Sequence, residues 1–336
     1  MSGFVSAAAF EAALSALPGP DEAARSAAAA RQAVLTKPAG SLGRLEEIAI
    51  FLAGWQGRER PRIDRGRVAI FAGNHGVAAK GVSAFPPAVT VEMVRSFQAG
   101  GAAINALAAA AGLELVVVPL SLDRPTADFT VEPAMTQAEC LEALNAGAAV
   151  VEAGLDLLVL GEMGIGNSTS AAALCAASFG GSGADWVGPG TGVHGAQLAA
   201  KVAVVDAGLA LHHGAATPFE RLRRLGGREI AAMAGALVAA RSARVPVLLD
   251  GFIGCAAVAP LAAAVPDVVA HCLAGHCSAE PGHRRLLDRL GLEPLLSLEM
   301  RLGEGSGAAV AAGVVRAALA AHDGMATFAE AGVSDG

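Results

Sequence analysis

Short aliphatic runs alternate along the chain with longer helical segments, and this alternation is what most constrains the fold. Most of the runs lack an apolar–polar alternation, as is typical of strands that are buried on both faces. Because strands that alternate with helices favour right-handed crossovers, the sequence predicts an α/β fold with an open parallel sheet flanked by helices. The predicted strands are Val68–Phe71, Leu115–Val118, Leu157–Leu160, Val245–Leu249 and Val268–Ala270. The predicted helices are Ala7–Leu17, Glu22–Leu35, Leu45–Trp55, Val91–Ala111, Gln137–Ala153, Ser168–Ser178, Gln197–His213, Arg228–Arg244 and Gly307–His322.

The composition argues against several classes of partner. The chain has 336 residues, of which 54% are apolar, so it is long enough to bury one large core or two. A net charge of −7, without a block of Lys or Arg, argues against binding of nucleic acid. The uncharged apolar stretch Gly251–Pro266 is interrupted by Gly and Pro and is too short to span a membrane. The first residues lack the pattern of a signal peptide, and five cysteines without framework spacing favour a reducing cytoplasm.

Polar residues and glycines follow four of the predicted strands. They lie at Gly73–Gly76, Gly161–Thr169, Asp250–Phe252 and His271–His283. Ligands of open parallel sheets bind beyond the carboxyl ends of the strands. The sequence therefore predicts one site that is assembled from several loops.

The segment Gly164–Ser170 has the outline of a phosphate site, because it follows a strand and opens a helix. Its glycines expose backbone N–H groups, and the N-terminus of a helix favours an anion. It is neither a Walker loop nor a dinucleotide fingerprint, and a plain strand–helix turn is the alternative. A β-branched side chain at Gly166 is expected to occupy space that the phosphate needs. A second glycine cluster, Gly188–Gly192, could close around the same phosphate, with Lys201 adding a positive charge.

Glu304 is a single carboxylate between two glycines, directly before an Ala-rich helix. Glycine neighbours allow a ligand and the backbone to approach closely, so Glu304 is a candidate general base. The alternative is an acidic residue that stabilises the N-terminus of the following helix. Glu162 and Asp250 have a similar ambiguity at their own strand ends, since Asp250 could accept sugar hydroxyls or cap a helix.

The histidines and cysteines between His271 and His283 do not predict a metal site. Their Cys-x4-Cys and His-x4-His spacings differ from the Cys-x2-Cys pairs that are typical of structural zinc sites. Ser278, Glu280 and His283 are better candidates for hydrogen-bonding groups that line the site. His75 is interpreted as a residue that orients its loop.

Seven segments carry a family resemblance, and they occur in family order. They are Lys37–Glu46, Asn74–Val77 with Gly81–Ser83, Gly161–Thr169, Gly190–Gly192, Asp250–Phe252, Ser278–His283 and Arg301–Gly307. Together they resemble the nicotinate-nucleotide–dimethylbenzimidazole phosphoribosyltransferases, which make the lower-ligand nucleotide of cobalamin. The resemblance implies a Rossmann-like catalytic domain over residues 60–304 and a small helical domain formed by residues 1–59 with 305–336. It also implies a homodimer.

The resemblance implies that 5-phosphoribose moves from nicotinate mononucleotide to 5,6-dimethylbenzimidazole, giving α-ribazole 5′-phosphate and nicotinate. Glu304 matches the family's catalytic base. The substrate-binding residues that we predict are Ser83, Glu162, Gly164, Ile165, Gly166, Asn167, Ser168, Thr169, Gly190, Thr191, Gly192, Lys201, Asp250, Gly251, Ser278, Gly303 and Gly305. The chain departs from the family at Pro87 and Glu92, where relatives often carry Gln, and at His194 and Gly195, where acidic residues are common.

The chemistry of this transfer needs one base and neither a metal nor a cofactor. Nicotinate leaves the ribose as a neutral ring nitrogen, and the incoming imidazole must lose the proton on its other nitrogen. Attack opposite the leaving group inverts the configuration at the anomeric carbon. Positioning of the reactants lowers the activation free energy of such reactions by about 7–11 kcal/mol. A non-catalytic nucleotide sensor would keep the phosphate loop without needing Glu304. A nicotinamide-dependent dehydrogenase would need the GxGxxG fingerprint that the sequence lacks.

Overall fold

The computed structural model describes residues 3–190 and 192–334. In this part of the chain, six strands form one parallel sheet in the order β2-β1-β3-β4-β5-β6. The strands are β1 Gly66–Ala72, β2 Glu114–Pro119, β3 Leu157–Met163, β4 Val247–Leu249, β5 Cys272–His276 and β6 Pro294–Leu296. All neighbouring pairs run parallel, which confirms the α/β class predicted from the sequence.

Helices cover both faces of the sheet. In chain order they are α1 Ala7–Leu14, α2 Glu22–Val34, α3 Arg44–Gln56, α4 Ala88–Ala99, α5 Ala103–Ala110, α6 Gln137–Ala149, α7 Asn167–Phe179, α8 Gly183–Trp186, α9 Gly195–Leu211, α10 Pro218–Leu225, α11 Arg228–Ser242, α12 Phe252–Ala264, α13 Pro281–Leu290, α14 Ser306–Gly324 and α15 Phe328–Ala331. The 3₁₀ helices Gly76–Lys80 and Pro266–Val269 lie between them.

The central strands place successive residues in two separate hydrophobic clusters. Leu158 and Leu160 of β3 pack with α6, α7, α11 and α12, whereas Leu157 and Val159 pack with α3, α5 and α14. Both faces of the strand are therefore apolar and fully buried. This is the physical reason why the strand segments show no apolar–polar alternation in the sequence.

One strand prediction is wrong. Val268 and Val269 lie in the 3₁₀ helix Pro266–Val269, and the neighbouring strand begins only at Cys272. Pro266 favours this outcome, since its fixed φ suits the first turn of a helix and it has no N–H to donate. β6 was not predicted, because it begins with Pro294 and leaves only Leu295 and Leu296 as an aliphatic run, whereas the equally short β4 ends the longer apolar run Val245–Leu249.

One predicted helix is divided. The segment Val91–Ala111 forms two helices, because α4 ends at Ala99 and Gly100 follows with a left-handed φ of 79°. Glycine in this conformation is a common helix C-cap. The chain then turns before α5 begins at Ala103.

The two ends of the chain lie together. Arg31 of α2 donates through Nε to the carbonyl of His322 at 2.9 Å, and Leu35 forms a bridge with Thr327. Helices α3 and α14 also belong to the hydrophobic cluster on one face of the sheet. The division into residues 60–304 and a helical domain of the two ends stays a prediction. Across the described ranges, none of the helices is long and apolar enough to cross a membrane.

Candidate active site

A cleft lies beyond the carboxyl ends of β3, β4 and β5, beside the point where the strand order reverses between β1 and β3. Such switch points open the crevice in which parallel sheets bind ligands. The cleft has an empty volume of about 770 Å³, part of which is open to solvent. It is lined by Ser83, Glu162, Met163, Gly164, Ile165, Gly166, Asn167, Ser168, Gly190, Gly251, Phe252, Ile253, His276, Ser278, Glu280, Arg301, Leu302 and Gly303.

The loop between β3 and α7 forms one wall of this cleft. Helix α7 begins at Asn167, and Gly166 is its N-cap with a left-handed φ of 96°. The backbone N–H groups and the dipole of a helix N-terminus favour an anion at this position. Ser168, in the first turn, adds a hydroxyl group at the same end of the helix.

Lys201 of α9 brings a buried ammonium group to this loop. Its Nζ donates to Ser168 Oγ and to the carbonyl of Gly188, both at 2.9 Å. Burial lowers the pKa of Lys201 to about 8, while the nearby Glu280 opposes this change. An ammonium group has three donors, and these two contacts use two of them. The helix terminus, the hydroxyl and the cation lie together, which is an arrangement that favours an anionic group.

Glu162, the penultimate residue of β3, lies in the cleft and contacts the same loop. Asn167 donates through Nδ2 to Glu162 Oε2 at 2.5 Å. Burial raises the pKa of the Glu162 carboxyl to about 8, and the negative charges of Asp250 and Glu229 act in the same direction. Glu162 therefore holds a proton near neutral pH, and it can act as a hydrogen-bond donor or as an acid.

Glu304 has an unusual backbone. Its φ is 64°, between Gly303 at 83° and Gly305 at 80°, so three successive residues adopt left-handed values. Non-glycine residues in this region store strain and are frequent in active sites. Burial raises the pKa of Glu304 to about 7, with a further contribution from Asp250, and its Oε2 has no hydrogen-bond partner among the described residues. A carboxylate with a free oxygen and a pKa near neutrality is suited to accept a proton.

Asp250 anchors the helix that follows Glu304. Its Oδ1 accepts a hydrogen bond from the backbone N of Ala308 at 2.8 Å, in the first turn of α14. His276 Nε2 lies 3.5 Å from the same oxygen, and the His276 side chain is 3% exposed. Asp250 therefore stabilises the N-terminus of α14 rather than that of α12, which follows it in the chain. This contact fixes the N-terminus of α14, and Glu304 lies in the loop directly before that helix.

His283, close to β5, serves as a neutral hydrogen-bonding group. His283 Nδ1 accepts from the backbone N of Ser278 at 2.9 Å, and its Nε2 lies 3.3 Å from Cys255 Sγ. Burial and the neighbouring His276 lower the pKa of His283 to about 3. Within residues 3–190 and 192–334, no group of three or more His, Cys, Asp or Glu is arranged to hold a metal ion.

The structure brings most of the predicted residues to one cleft. Those that line it are Ser83, Glu162, Gly164, Ile165, Gly166, Asn167, Ser168, Gly190, Gly251, Ser278 and Gly303. Thr169, Gly192, Lys201, Asp250, Glu304 and Gly305 do not themselves line the cleft. Lys201 nevertheless bonds the lining residue Ser168, and Asp250 and Glu304 directly adjoin the lining residues Gly251 and Gly303 in the chain. Thr191 lies outside the described residues.

Glu280, which the sequence suggested as a hydrogen-bonding group of the site, lines the cleft, whereas His283 does not. Several other lining residues were not predicted: Met163, Phe252, Ile253, His276, Arg301 and Leu302. Met163, Phe252 and Leu302 are immediate chain neighbours of predicted residues, and that adjacency was the available signal for these three. His276 closes β5 and faces the cleft from the strand itself. Because the strand was predicted too early in the chain, the sequence placed His276 in a loop.

The chain is similar to phosphoribosyltransferases over almost its whole length. A family model described as phosphoribosyltransferase matches residues 17–333. A nicotinate-nucleotide–dimethylbenzimidazole phosphoribosyltransferase of Novosphingobium aromaticivorans is 70% identical, with 100% of each chain covered. One of Rhodobacter capsulatus with the same name is 59% identical, with 95% of each chain covered. The crystal structure of CobT from Thermus thermophilus superposes with a TM-score of 0.88 at 42% identity, covering 94% of this chain and 100% of that one.

Proposed function

Since the chain belongs to the nicotinate-nucleotide–dimethylbenzimidazole phosphoribosyltransferase family, we propose that it moves 5-phosphoribose from nicotinate mononucleotide to 5,6-dimethylbenzimidazole. The products are α-ribazole 5′-phosphate and nicotinate, and the reaction belongs to the assembly of the cobalamin nucleotide loop. The protein is thus a pentosyltransferase that acts without a metal or a cofactor. Full-length similarity at 70% identity supports this assignment.

The 5′-phosphate of the nucleotide binds at the N-terminus of α7. Backbone N–H groups of the Gly164–Ser168 loop, the Ser168 hydroxyl and the Lys201 ammonium group provide the donors. Support for this part of the proposal comes from the 2.9 Å contact between Lys201 Nζ and Ser168 Oγ at the edge of the cleft. Because Lys201 is buried, its charge acts on the phosphate with little screening by water.

Glu304 acts as the general base, and its geometry is the observation that carries the proposal. A buried carboxylate in a left-handed backbone, with one unpartnered oxygen and a pKa of about 7, is poised to take a proton. One imidazole nitrogen attacks the anomeric carbon while the bond from that carbon to nicotinate breaks. The proton on the other imidazole nitrogen passes to Glu304. Attack from the opposite face converts the β-nucleotide into the α-product.

The remaining parts of the proposal concern assembly and location. We expect a homodimer, with a catalytic domain at residues 60–304 and helices from both chain ends beside it. We place the reaction in the cytoplasm, where the free thiols of the five cysteines would remain reduced.

The test is product formation by Glu304→Gln. Nicotinate mononucleotide and dimethylbenzimidazole are mixed with the purified protein, and α-ribazole 5′-phosphate is separated by chromatography. We expect turnover to fall by about 10²–10⁴-fold in the variant, as is typical when a general base is removed. Glu299→Gln is the matched control, because Glu299 also has a left-handed φ, 57°, but is exposed. Wild-type turnover in Glu304→Gln would contradict the role of Glu304, and no product from the wild-type protein would favour a nucleotide sensor.

A further inference from the structure

His75 and Glu229 form a fully buried pair beneath the loop that we assign to phosphate binding. His75 follows β1, and Glu229 lies in the first turn of α11. His75 Nε2 lies 2.5 Å from Glu229 Oε1, and His75 Nδ1 lies 3.1 Å from Ser170 Oγ. All three side chains are at most 1% exposed. A continuous chain of contacts thus runs from α11 through His75 to α7.

This chain of contacts ends on the helix that carries the loop. Ser170 is in the first turns of α7, two residues after Ser168, whose hydroxyl bonds Lys201. None of Glu229, His75 and Ser170 lines the cleft, so the three residues act on a ligand through the position of α7.

The backbone around the pair is shaped to receive it. A β-carbon at Gly227 would clash with His75 Cε1, and one at Gly73 would lie 2.5 Å from Glu229 Oε2. Both positions therefore exclude any side chain. The same Oε2 has no hydrogen-bond partner in the described part of the chain. Buried ionisable pairs give little net stability in general, so this arrangement is better explained by the position it enforces than by stability.

We propose that the Glu229–His75 pair is a positioning device that holds the first turns of α7, and with them the phosphate-binding loop, through the Ser170 hydroxyl. This inference rests on the proposed function, because it assumes that the loop binds the phosphate of the nucleotide. It assigns roles to three residues that do not contact the substrate.

Ser170→Ala is the sharpest variant, because it removes only the link between the pair and α7. The binding of inorganic phosphate and of nicotinate is measured by calorimetry, and KM and kcat are measured with nicotinate mononucleotide. We expect the Kd of phosphate and the KM of the mononucleotide to rise about fivefold, as for loss of one buried hydrogen bond. The kcat and the Kd of nicotinate, which has no phosphate, should stay within about twofold of wild type. This split would not arise from a general loss of stability.

Ser178→Ala is the matched control on the same helix. Ser178 Oγ is buried without a partner among the described residues, so its removal should leave every constant unchanged. Glu229→Gln keeps the size of the side chain and, combined with Ser170→Ala, should add less than the sum of the single effects. The proposal is overturned if Ser170→Ala binds phosphate as wild type does. If the wild-type protein forms no product but Ser170→Ala still weakens phosphate binding, the proposed function fails and the positioning role stands.

Discussion

The backbone of Glu304 lies directly on the α-carbon of Gly161. A β-carbon at position 161 would lie 2.7 Å from the Glu304 carbonyl oxygen and 3.0 Å from the backbone N of Gly305. Gly161 is in the middle of β3, where a glycine has no side chain to pack. Its absence of a side chain lets the Glu304 loop rest on the strand that leads to Glu162. This contact therefore sets the position of Glu304 relative to the cleft.

Gly161→Ala should therefore lower activity through the position of Glu304. The added methyl group must displace the Glu304 loop, since the clash is with backbone atoms. We expect turnover to fall more than about tenfold and the free energy of unfolding to fall by about 1–3 kcal/mol, as in other overpacked sites. Turnover and urea denaturation are measured on the same preparation.

Gly313→Ala provides the control for this prediction. Gly313 lies in α14 with nothing within 4 Å of an added β-carbon, so alanine should stabilise the helix by about 0.5–1 kcal/mol without changing turnover. Full activity in Gly161→Ala would show that the loop moves freely over the strand.

The kcat/KM for nicotinate mononucleotide should have a bell-shaped dependence on pH. Glu304 must be deprotonated to accept a proton, so activity falls as the pH drops below its pKa of about 7. Lys201 must be protonated to bind the phosphate, so activity also falls as the pH rises above its pKa of about 8. We expect the maximum between these two values. In Lys201→Met the alkaline limb should vanish while the acidic limb stays, and an unchanged alkaline limb would assign it to another group.

Glu162 should make the folded protein less stable as the pH rises. Its pKa of about 8 in the fold exceeds the ordinary value of 4.5, so the folded protein keeps a proton that the unfolded chain loses. The stabilisation from that proton is complete below about pH 4.5 and is lost as the pH rises through about 8. Glu162→Gln removes this titration. The variant should gain stability relative to wild type between about pH 5 and pH 8.5 in urea denaturation, and a constant difference would refute the raised pKa.

The sequence signals some residues of this site and leaves others without a signal. The Gly164–Ser168 loop and Glu304 are recognisable because glycine and a polar group next to a strand or helix end have a local meaning. His276 and Glu229 carry no such local signal. The placement of His276 depends on where β5 ends. The incorrect prediction of a strand at Val268–Ala270 placed that end too early in the chain. Glu229 occupies an ordinary position at the start of a helix, and only the fold places it against His75.

The sequence also does not predict in which direction a side chain at a given position points. A side chain at Gly166 was expected to enter the phosphate space, but an added β-carbon there would point toward Ala78 and His75, each 3.4 Å away. The expectation stays a prediction, since the γ-atoms of a β-branched side chain extend beyond the β-carbon and Gly166 itself lines the cleft. Gly190 is a position at which an added side chain would approach the groups that we assign to the phosphate. Its added β-carbon would lie 3.2 Å from Ser168 Oγ and 3.5 Å from Lys201 Nζ.

Gly190→Ala should therefore weaken nucleotide binding by crowding the two groups that we assign to the phosphate. Gly195→Ala is a closely matched control, because both glycines have a φ of 56° and nothing lies within 4 Å of an added β-carbon at Gly195. The two variants share the cost of placing alanine in a left-handed backbone, about 1–2 kcal/mol, and differ only in what the methyl group meets. Calorimetric titration should give a Kd for nicotinate mononucleotide at least about tenfold higher in Gly190→Ala than in Gly195→Ala, with nicotinate binding equally to both. Equal affinities for the mononucleotide would place the phosphate away from Ser168 and Lys201.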